Sequence, residues 1–120
     1  MPKVTIYHNP RCSKSRQTLA LIEDSKTPHT TVLYLDTPPA ASFLESALAT
    51  LGRDVMLRTG EDAYKEYIKG KNLSDAELAA LMVQHPGIIE RPLVVADDGR
   101  MVMGRPPENV MPLLKGVKSA

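Results

Sequence analysis

The chain has 120 residues, 42% hydrophobic and 24% charged, which is typical of one globular domain with an ordinary core. Its net charge of +1 gives no indication of a nucleic-acid or membrane partner, and its single cysteine excludes an internal disulfide or a multi-cysteine zinc site. We expect no metal site. A lone thiol fits a reducing compartment, and the first strand begins too near Met1 for a signal peptide, so we predict a cytoplasmic protein.

The first elements place the cysteine at a strand-to-helix turn. Val4–Tyr7 is an apolar run that predicts a strand, and Ser15, Leu19 and Ile22 follow at helical spacing. Cys12 falls between them, where the unpaired N–H groups of the helix begin. The partial positive charge of that helix end favours a thiolate.

Basic residues surround this cysteine in the sequence. Arg11, Lys14 and Arg16 lie within a few residues of it, and His8 adds charge when protonated. We therefore predict a Cys12 pKa below about 8.5, the ordinary value for the thiol. The alternative is a buried structural cysteine, the commoner fate of a lone thiol.

The next elements predict a βαβ unit followed by helices. Thr30–Leu35 is β-branched and apolar, which indicates a second strand, parallel to the first with a right-handed crossover. Leucines at helical spacing before Gly52, a weaker helix over Asp62–Lys69, and a capping box opening at Ser74 predict three helices. Val55, Met56 and Leu57 suit a short turn.

The chain then returns to strands. Leu93–Ala96 and Met101–Met103 predict a hairpin joined by a two-residue turn at Asp98-Gly99, and Pro106-Pro107 suit the start of a last helix that runs through Leu114. The predicted fold class is α/β, a thioredoxin-like four-stranded mixed β-sheet flanked by helices. We expect a single domain over 1–115 with a helical insertion at about 41–85, and a frayed tail over 116–120.

Four motifs in this order resemble the glutaredoxin-linked arsenate reductase family, and most of all its short, uncharacterised-reductase branch. The motifs are Tyr7-His8-Asn9-Pro10 leading to Cys12 and Ser15-Arg16, then Leu57-Arg58, Glu90-Arg91-Pro92 and Gly104-Arg105-Pro106. The resemblance covers residue 3 to about 114. It implies an ArsC-type thioredoxin-like domain that reduces arsenate to arsenite, with glutathione as co-substrate, glutaredoxin as partner and no bound cofactor.

The resemblance also implies the role of each site residue. Cys12 would be the nucleophile, His8 would tune the thiolate, and Ser15 would hydrogen-bond to it. Three arginines, Arg58, Arg91 and Arg105, would bind the oxyanion, since guanidinium forks match its oxygens. In this fold a proline before the third strand faces the cysteine, which makes Pro92 the candidate. The Arg91-Pro92 peptide bond could be cis. The alternative is a trans proline that only starts a strand.

Part of this geometry follows from the residues alone. Arg91 and Arg105 flank the predicted hairpin, and an antiparallel hairpin brings its two ends together, so both can reach one pocket. Arg58 would come from the helical insertion. Taken singly, Arg58 and Arg105 would each more often be a solvated loop arginine.

Two other functions remain open. A monothiol oxidoreductase or glutathione-transfer enzyme of this fold would act on another disulfide or anion. A non-catalytic regulator of the Spx type would bind RNA polymerase, although Ser15 replaces the second cysteine that many such regulators use as a redox switch.

Overall fold

The computed structural model describes residues 3–114 and forms two compact units. The first unit contains the chain up to Leu33 and from Arg91 onwards, and the second runs from Tyr34 to Glu90. The predicted frayed tail lies outside the described residues. Within 3–114 no helix has the length and apolar character needed to cross a bilayer.

The first unit is built on a four-stranded mixed sheet. Its strands in the order β2-β1-β3-β4 are β2 (His29–Leu33), β1 (Val4–His8), β3 (Leu93–Ala96) and β4 (Met101–Met103). The first strand pairs parallel with β2, with Val4 opposite His29, and antiparallel with β3, with Val4 opposite Ala96. The predicted parallel βαβ pair is confirmed, and β1 lies at the centre of the sheet.

Buried and partly exposed side chains alternate along the central strand, and the buried ones form part of the core of this unit. Val4 and Ile6 are fully buried, while Thr5 and Tyr7, which alternate with them, are partly exposed. Helix α1 (Ser13–Asp24) packs against a C-terminal 3₁₀ helix (Pro107–Leu113). The buried cluster that they share with the strands is Val4, Ile6, Ile22, Val94, Ala96, Val110, Leu113 and Leu114. Burying these side chains fixes α1, and thus its N-terminus, relative to the sheet.

Three sequence predictions need correction here. The second strand ends at Leu33 rather than Leu35, because its ladder with β1 stops where β1 ends, at His8. The β3–β4 turn has three residues, 97–99, rather than two, because the Ala96 N–H bonds to the Arg100 carbonyl at 2.7 Å. Gly99, at φ +92°, takes the left-handed position that such a loop requires. The last helix is a 3₁₀ helix with Pro112 inside it, and a proline there lacks the N–H that an α-helix would use.

The second unit is helical. It contains α2 (Ala41–Leu51), α3 (Arg53–Met56), α4 (Asp62–Tyr67), α5 (Asp75–Gln84) and a 3₁₀ helix (Pro86–Ile88). Helices α2 and α5 pack together, and the predicted capping box of Ser74 and Glu77 is present at the start of α5. A single bridge joins Leu57 to Ile89. The four α-helices lie within about 41–85, and the 3₁₀ helix follows this range. The helical insertion and the single domain over 1–115 stay predictions.

Candidate active site

Cys12 is the N-cap residue of α1. Its backbone is extended, at φ −94° and ψ 123°, and its carbonyl accepts the Arg16 N–H at 3.0 Å. The approach to the helix is fixed by a turn in which the Asn9 carbonyl accepts the Cys12 N–H at 3.0 Å and the Asn9 side chain accepts the Arg11 N–H at 3.0 Å. The cysteine is only 8% exposed, so the sulfur is held in a defined place at the helix end.

The surroundings of the sulfur lower the pKa of the Cys12 thiol. Burial raises that pKa, but the backbone N–H of Ser15, the hydrogen bond and charge of the Arg91 side chain, and the backbone N–H of Lys14 outweigh it. Hydrogen bonds and positive charge favour the ionised form of a thiol. The depressed pKa agrees with the sequence prediction, although the cation responsible is Arg91. The sequence neighbours Arg11 and Arg16 have exposed side chains.

Arg105 reaches the same sulfur from the other end of the β3–β4 hairpin. Its Nη1 lies 3.8 Å from the Cys12 Sγ and donates a second hydrogen bond to the Arg91 carbonyl at 3.3 Å. The structure therefore brings Arg91 and Arg105 together at the Cys12 sulfur, as the antiparallel geometry predicts. Pro92, buried at the start of β3, follows Arg91 through a cis peptide bond.

His8 and Ser15 form a buried pair beside the helix start. The His8 Nδ1 lies 2.6 Å from the Ser15 Oγ, and this oxygen also accepts the Asn9 N–H at 3.0 Å. Burial and the charge of Arg16 lower the pKa of His8, against a smaller opposite effect of Glu23. His8 is therefore mainly neutral at pH 7, and Ser15 meets the sulfur through its backbone N–H while its hydroxyl faces His8 and Asn9.

A close contact that the sequence did not single out lies behind the arginines. An added Cβ on Gly104 would come within 2.6 Å of the Thr18 Oγ1 and 2.8 Å of the Pro92 Cγ. Thr18 is fully buried, and its hydroxyl lies 3.3 Å from the Gly104 carbonyl oxygen. Helix α1 thus touches the end of β4, just before Arg105. A glycine in Gly-Arg-Pro was the available signal, since glycine often marks a close backbone approach.

Arg58 belongs to the second unit. Its guanidinium forms an ion pair with Glu61 and a longer one, at 3.7 Å, with Glu90. Its backbone N–H bonds to the Ile88 carbonyl at 2.8 Å, which fixes the residue beside the Leu57–Ile89 bridge. The predicted role of Arg58 at an oxyanion stays a prediction.

The arrangement combines a nucleophile with anion-binding groups. A thiolate is a strong nucleophile, and guanidinium and backbone N–H groups beside it can hold the oxygens of an incoming anion. Such donors also offset the repulsion between a thiolate and an anionic substrate. Among residues 3–114, no group of three or more His, Cys, Asp or Glu side chains could hold a metal ion.

Comparison with known proteins gives concordant matches over nearly the whole chain. The ArsC family model matches residues 7–112. An arsenate reductase of Neisseria meningitidis serogroup A is 42% identical over 118 residues, covering 95% of this chain and all of the relative. An uncharacterised protein of Escherichia coli K12, YfgD, is 44% identical over 116 residues, covering 93% of this chain and 97% of the relative.

A solved structure agrees with these sequence matches. The arsenate reductase from Vibrio cholerae superposes with a TM-score of 0.84 at 45% identity, over 93% of this chain and 98% of that one. The match confirms the predicted thioredoxin-like α/β fold. The family model, the identities and the shared fold agree, and the chain belongs to the ArsC family.

Proposed function

We propose that the protein is a cytoplasmic arsenate reductase that reduces arsenate to arsenite through Cys12, with electrons from glutathione and glutaredoxin. One observation carries this proposal, namely a cysteine of lowered pKa at a helix N-terminus with Arg91 and Arg105 on its sulfur. The names of the relatives support the choice of arsenate among oxyanions. Arg58 is kept as a third oxyanion ligand on the family resemblance alone.

The first step joins sulfur to arsenic. The Cys12 thiolate attacks the arsenic of bound arsenate, an S–As bond forms, and a protonated oxygen leaves as water. Arg91 and Arg105 hold the remaining oxygens and neutralise charge that develops on them. The neutral His8 and the Ser15 hydroxyl fix the helix start, so that the Ser15 N–H keeps its direction toward the sulfur.

The second step supplies the electrons. A glutathione thiolate attacks the Cys12 sulfur, the electron pair of the S–As bond passes to arsenic, and arsenite leaves while a mixed disulfide remains. A glutaredoxin thiolate then attacks the glutathione sulfur and releases the Cys12 thiolate. Two thiols are thus oxidised for each arsenate reduced.

The test is a coupled assay with the purified protein, glutathione, glutaredoxin, glutathione reductase and NADPH. We expect NADPH oxidation that depends on arsenate, saturates with it, and disappears in Cys12→Ser. Phosphate in place of arsenate is the control for an oxyanion that thiols do not reduce. Absence of arsenate-dependent oxidation would overturn the proposal.

The two other functions that the sequence leaves open predict different assay results. A monothiol oxidoreductase would reduce a glutathione mixed disulfide without any arsenate. A non-catalytic regulator would retain RNA polymerase in a pull-down and show no turnover in either assay.

A further inference from the structure

Asn109 bonds to two carbonyls of the backbone that carries Arg105, and the Thr18 hydroxyl, which donates to the Lys14 carbonyl at the shorter distance of 2.8 Å, lies near the carbonyl between them. Asn109 Nδ2 donates to the Met103 carbonyl at 3.2 Å and to the Arg105 carbonyl at 3.1 Å. Between them the Gly104 carbonyl lies 3.3 Å from the Thr18 Oγ1. Strand β4 ends at Met103, so these contacts replace the sheet ladder where it stops.

Asn109 is well placed to fix this segment. It lies on the C-terminal 3₁₀ helix, directly before the fully buried Val110, which anchors that helix in the core. Its two amide hydrogens bond to carbonyls on either side of Gly104, so one planar group sets the direction in which the chain leaves β4. The Gly104 N–H bonds to the Pro92 carbonyl at 2.8 Å, which ties the same segment to the start of β3.

The direction of that segment decides where the Arg105 guanidinium lies. Its Nη1 spans the Arg91 carbonyl and the Cys12 sulfur, at 3.3 and 3.8 Å, and the contact with the carbonyl is already longer than a typical N–H···O hydrogen bond, so a displaced backbone weakens it further. Arg105 itself is exposed, so little packing restrains its side chain.

We propose that Asn109 is a positioning residue, which holds Arg105 so that its guanidinium stays on the Cys12 sulfur. A contribution of Asn109 to arsenate reduction rests on the proposed function. Its positioning of Arg105 does not. Asn109 is exposed, and water can satisfy the Met103 and Arg105 carbonyls once the amide is removed. Its loss therefore displaces Arg105 without unfolding the unit.

The test compares alkylation of Cys12 by iodoacetate, which is an anion, with alkylation by neutral iodoacetamide at one pH. The ratio of the two rates reports positive charge beside the sulfur and cancels changes in thiolate fraction. We expect Arg105→Ala and Asn109→Ala each to lower this ratio, by about two- to fivefold, as for an exposed ion pair. The double variant should match Arg105→Ala, because Asn109 acts through that arginine.

Asn72→Ala removes an exposed amide from the second unit and serves as the matched control, with the wild-type ratio expected. An unchanged ratio in Asn109→Ala would overturn the proposal, and so would effects that add in the double variant. The alkylation ratio is measured without arsenate. It therefore tests the role of Asn109 even if the coupled assay shows no arsenate reduction.

Discussion

At the scale of single residues, the pKa of Cys12 is lowered by groups that lie near it in space. Two N–H groups of α1 and the distant Arg91 outweigh the burial of the thiol. The helix-start position could be predicted from the sequence because strand, turn and helix are local patterns. The hairpin geometry also placed Arg91 in this pocket, but the sequence assigned the lowered pKa to neighbours along the chain, because the distance from each cation to the sulfur depends on how the β3–β4 hairpin returns beside β1.

We predict that Arg91→Gln raises the pKa of Cys12. A lowered pKa means that the thiolate persists to lower pH, and the alkylation rate falls only as the pH drops through that value. Removing the Arg91 charge should move the midpoint of iodoacetamide alkylation to higher pH. Arg11→Gln, at an exposed neighbour in sequence, should keep the wild-type midpoint. Equal midpoints in wild type and Arg91→Gln would contradict this prediction.

A second prediction concerns the arginine forks. Replacing Arg91 or Arg105 by lysine keeps the charge but loses the planar pair of donors. Each fork contributes about 1.5–3 kcal/mol through charge-assisted hydrogen bonds, so arsenate turnover should fall roughly ten- to a hundredfold. Arg58→Lys should do the same. Steady-state kinetics measure the loss, and unchanged thermal melts show that folding is intact; three variants with wild-type turnover would refute the oxyanion role.

Ser15 shows the limit of sequence prediction at this scale. Its nearness to the sulfur follows from its place in the first turn of the helix, and the resemblance implied a hydrogen bond to the thiolate. The structure assigns that bond to its backbone N–H and places its hydroxyl 2.6 Å from the His8 Nδ1. Which of two donors on one residue faces a neighbour depends on a side-chain rotamer, which spacing in the sequence does not determine.

At the scale of elements, the contact between α1 and the end of β4 depends on a missing side chain. We predict that Gly104→Ala lowers the free energy of unfolding by about 1–3 kcal/mol, the usual cost of overpacking. The added Cβ would overlap with Thr18 and with the stiff Pro92 ring. Urea denaturation measures the loss, and Gly60→Ala is the control because a Cβ there has nothing within 4 Å. A Gly104→Ala protein of wild-type stability would show that the contact is loose.

The elements themselves were largely predictable, because period-2 and helical patterns are local. The errors arose where contacts between distant parts of the chain determine the end of a strand or the length of a loop. The second strand ends at Leu33 rather than Leu35, where the ladder with β1 stops at His8. The hairpin loop gained a residue because the Ala96–Arg100 hydrogen bond closes it one step earlier than Asp98-Gly99 implied.

At the scale of the whole molecule, the order of elements predicted the sheet and its mixed pairing, and the resemblance of four motifs indicated the family. The division into units at Leu33 and Glu90 did not follow from the sequence, since neither boundary carries a linker composition. The contacts on the sulfur described here, including those of Arg91 and Arg105, come from the first unit. Hydrophobic periodicity along the chain locates helices and strands. It does not show which of these elements pack together into one compact unit.

The count of cysteines sets the last prediction. With one cysteine in 120 residues, no second thiol of this chain can resolve a Cys12 adduct. Multiple turnovers should therefore require an external thiol, and mass spectrometry of the protein during turnover should show a glutathione adduct that Cys12→Ser lacks. Sustained arsenate reduction with a non-thiol reductant alone would contradict this.

The double contact of the Arg105 Nη1 has a thermodynamic consequence. Because the Arg91 carbonyl and the sulfur already hold this guanidinium, its rotamer freedom, worth about 2 kcal/mol for an arginine, is restricted during folding and not when an anion arrives. An anion that meets an ordered guanidinium loses less entropy on binding than one that must order a mobile side chain. The affinity of the site for its anion is thus set in part before any anion is present.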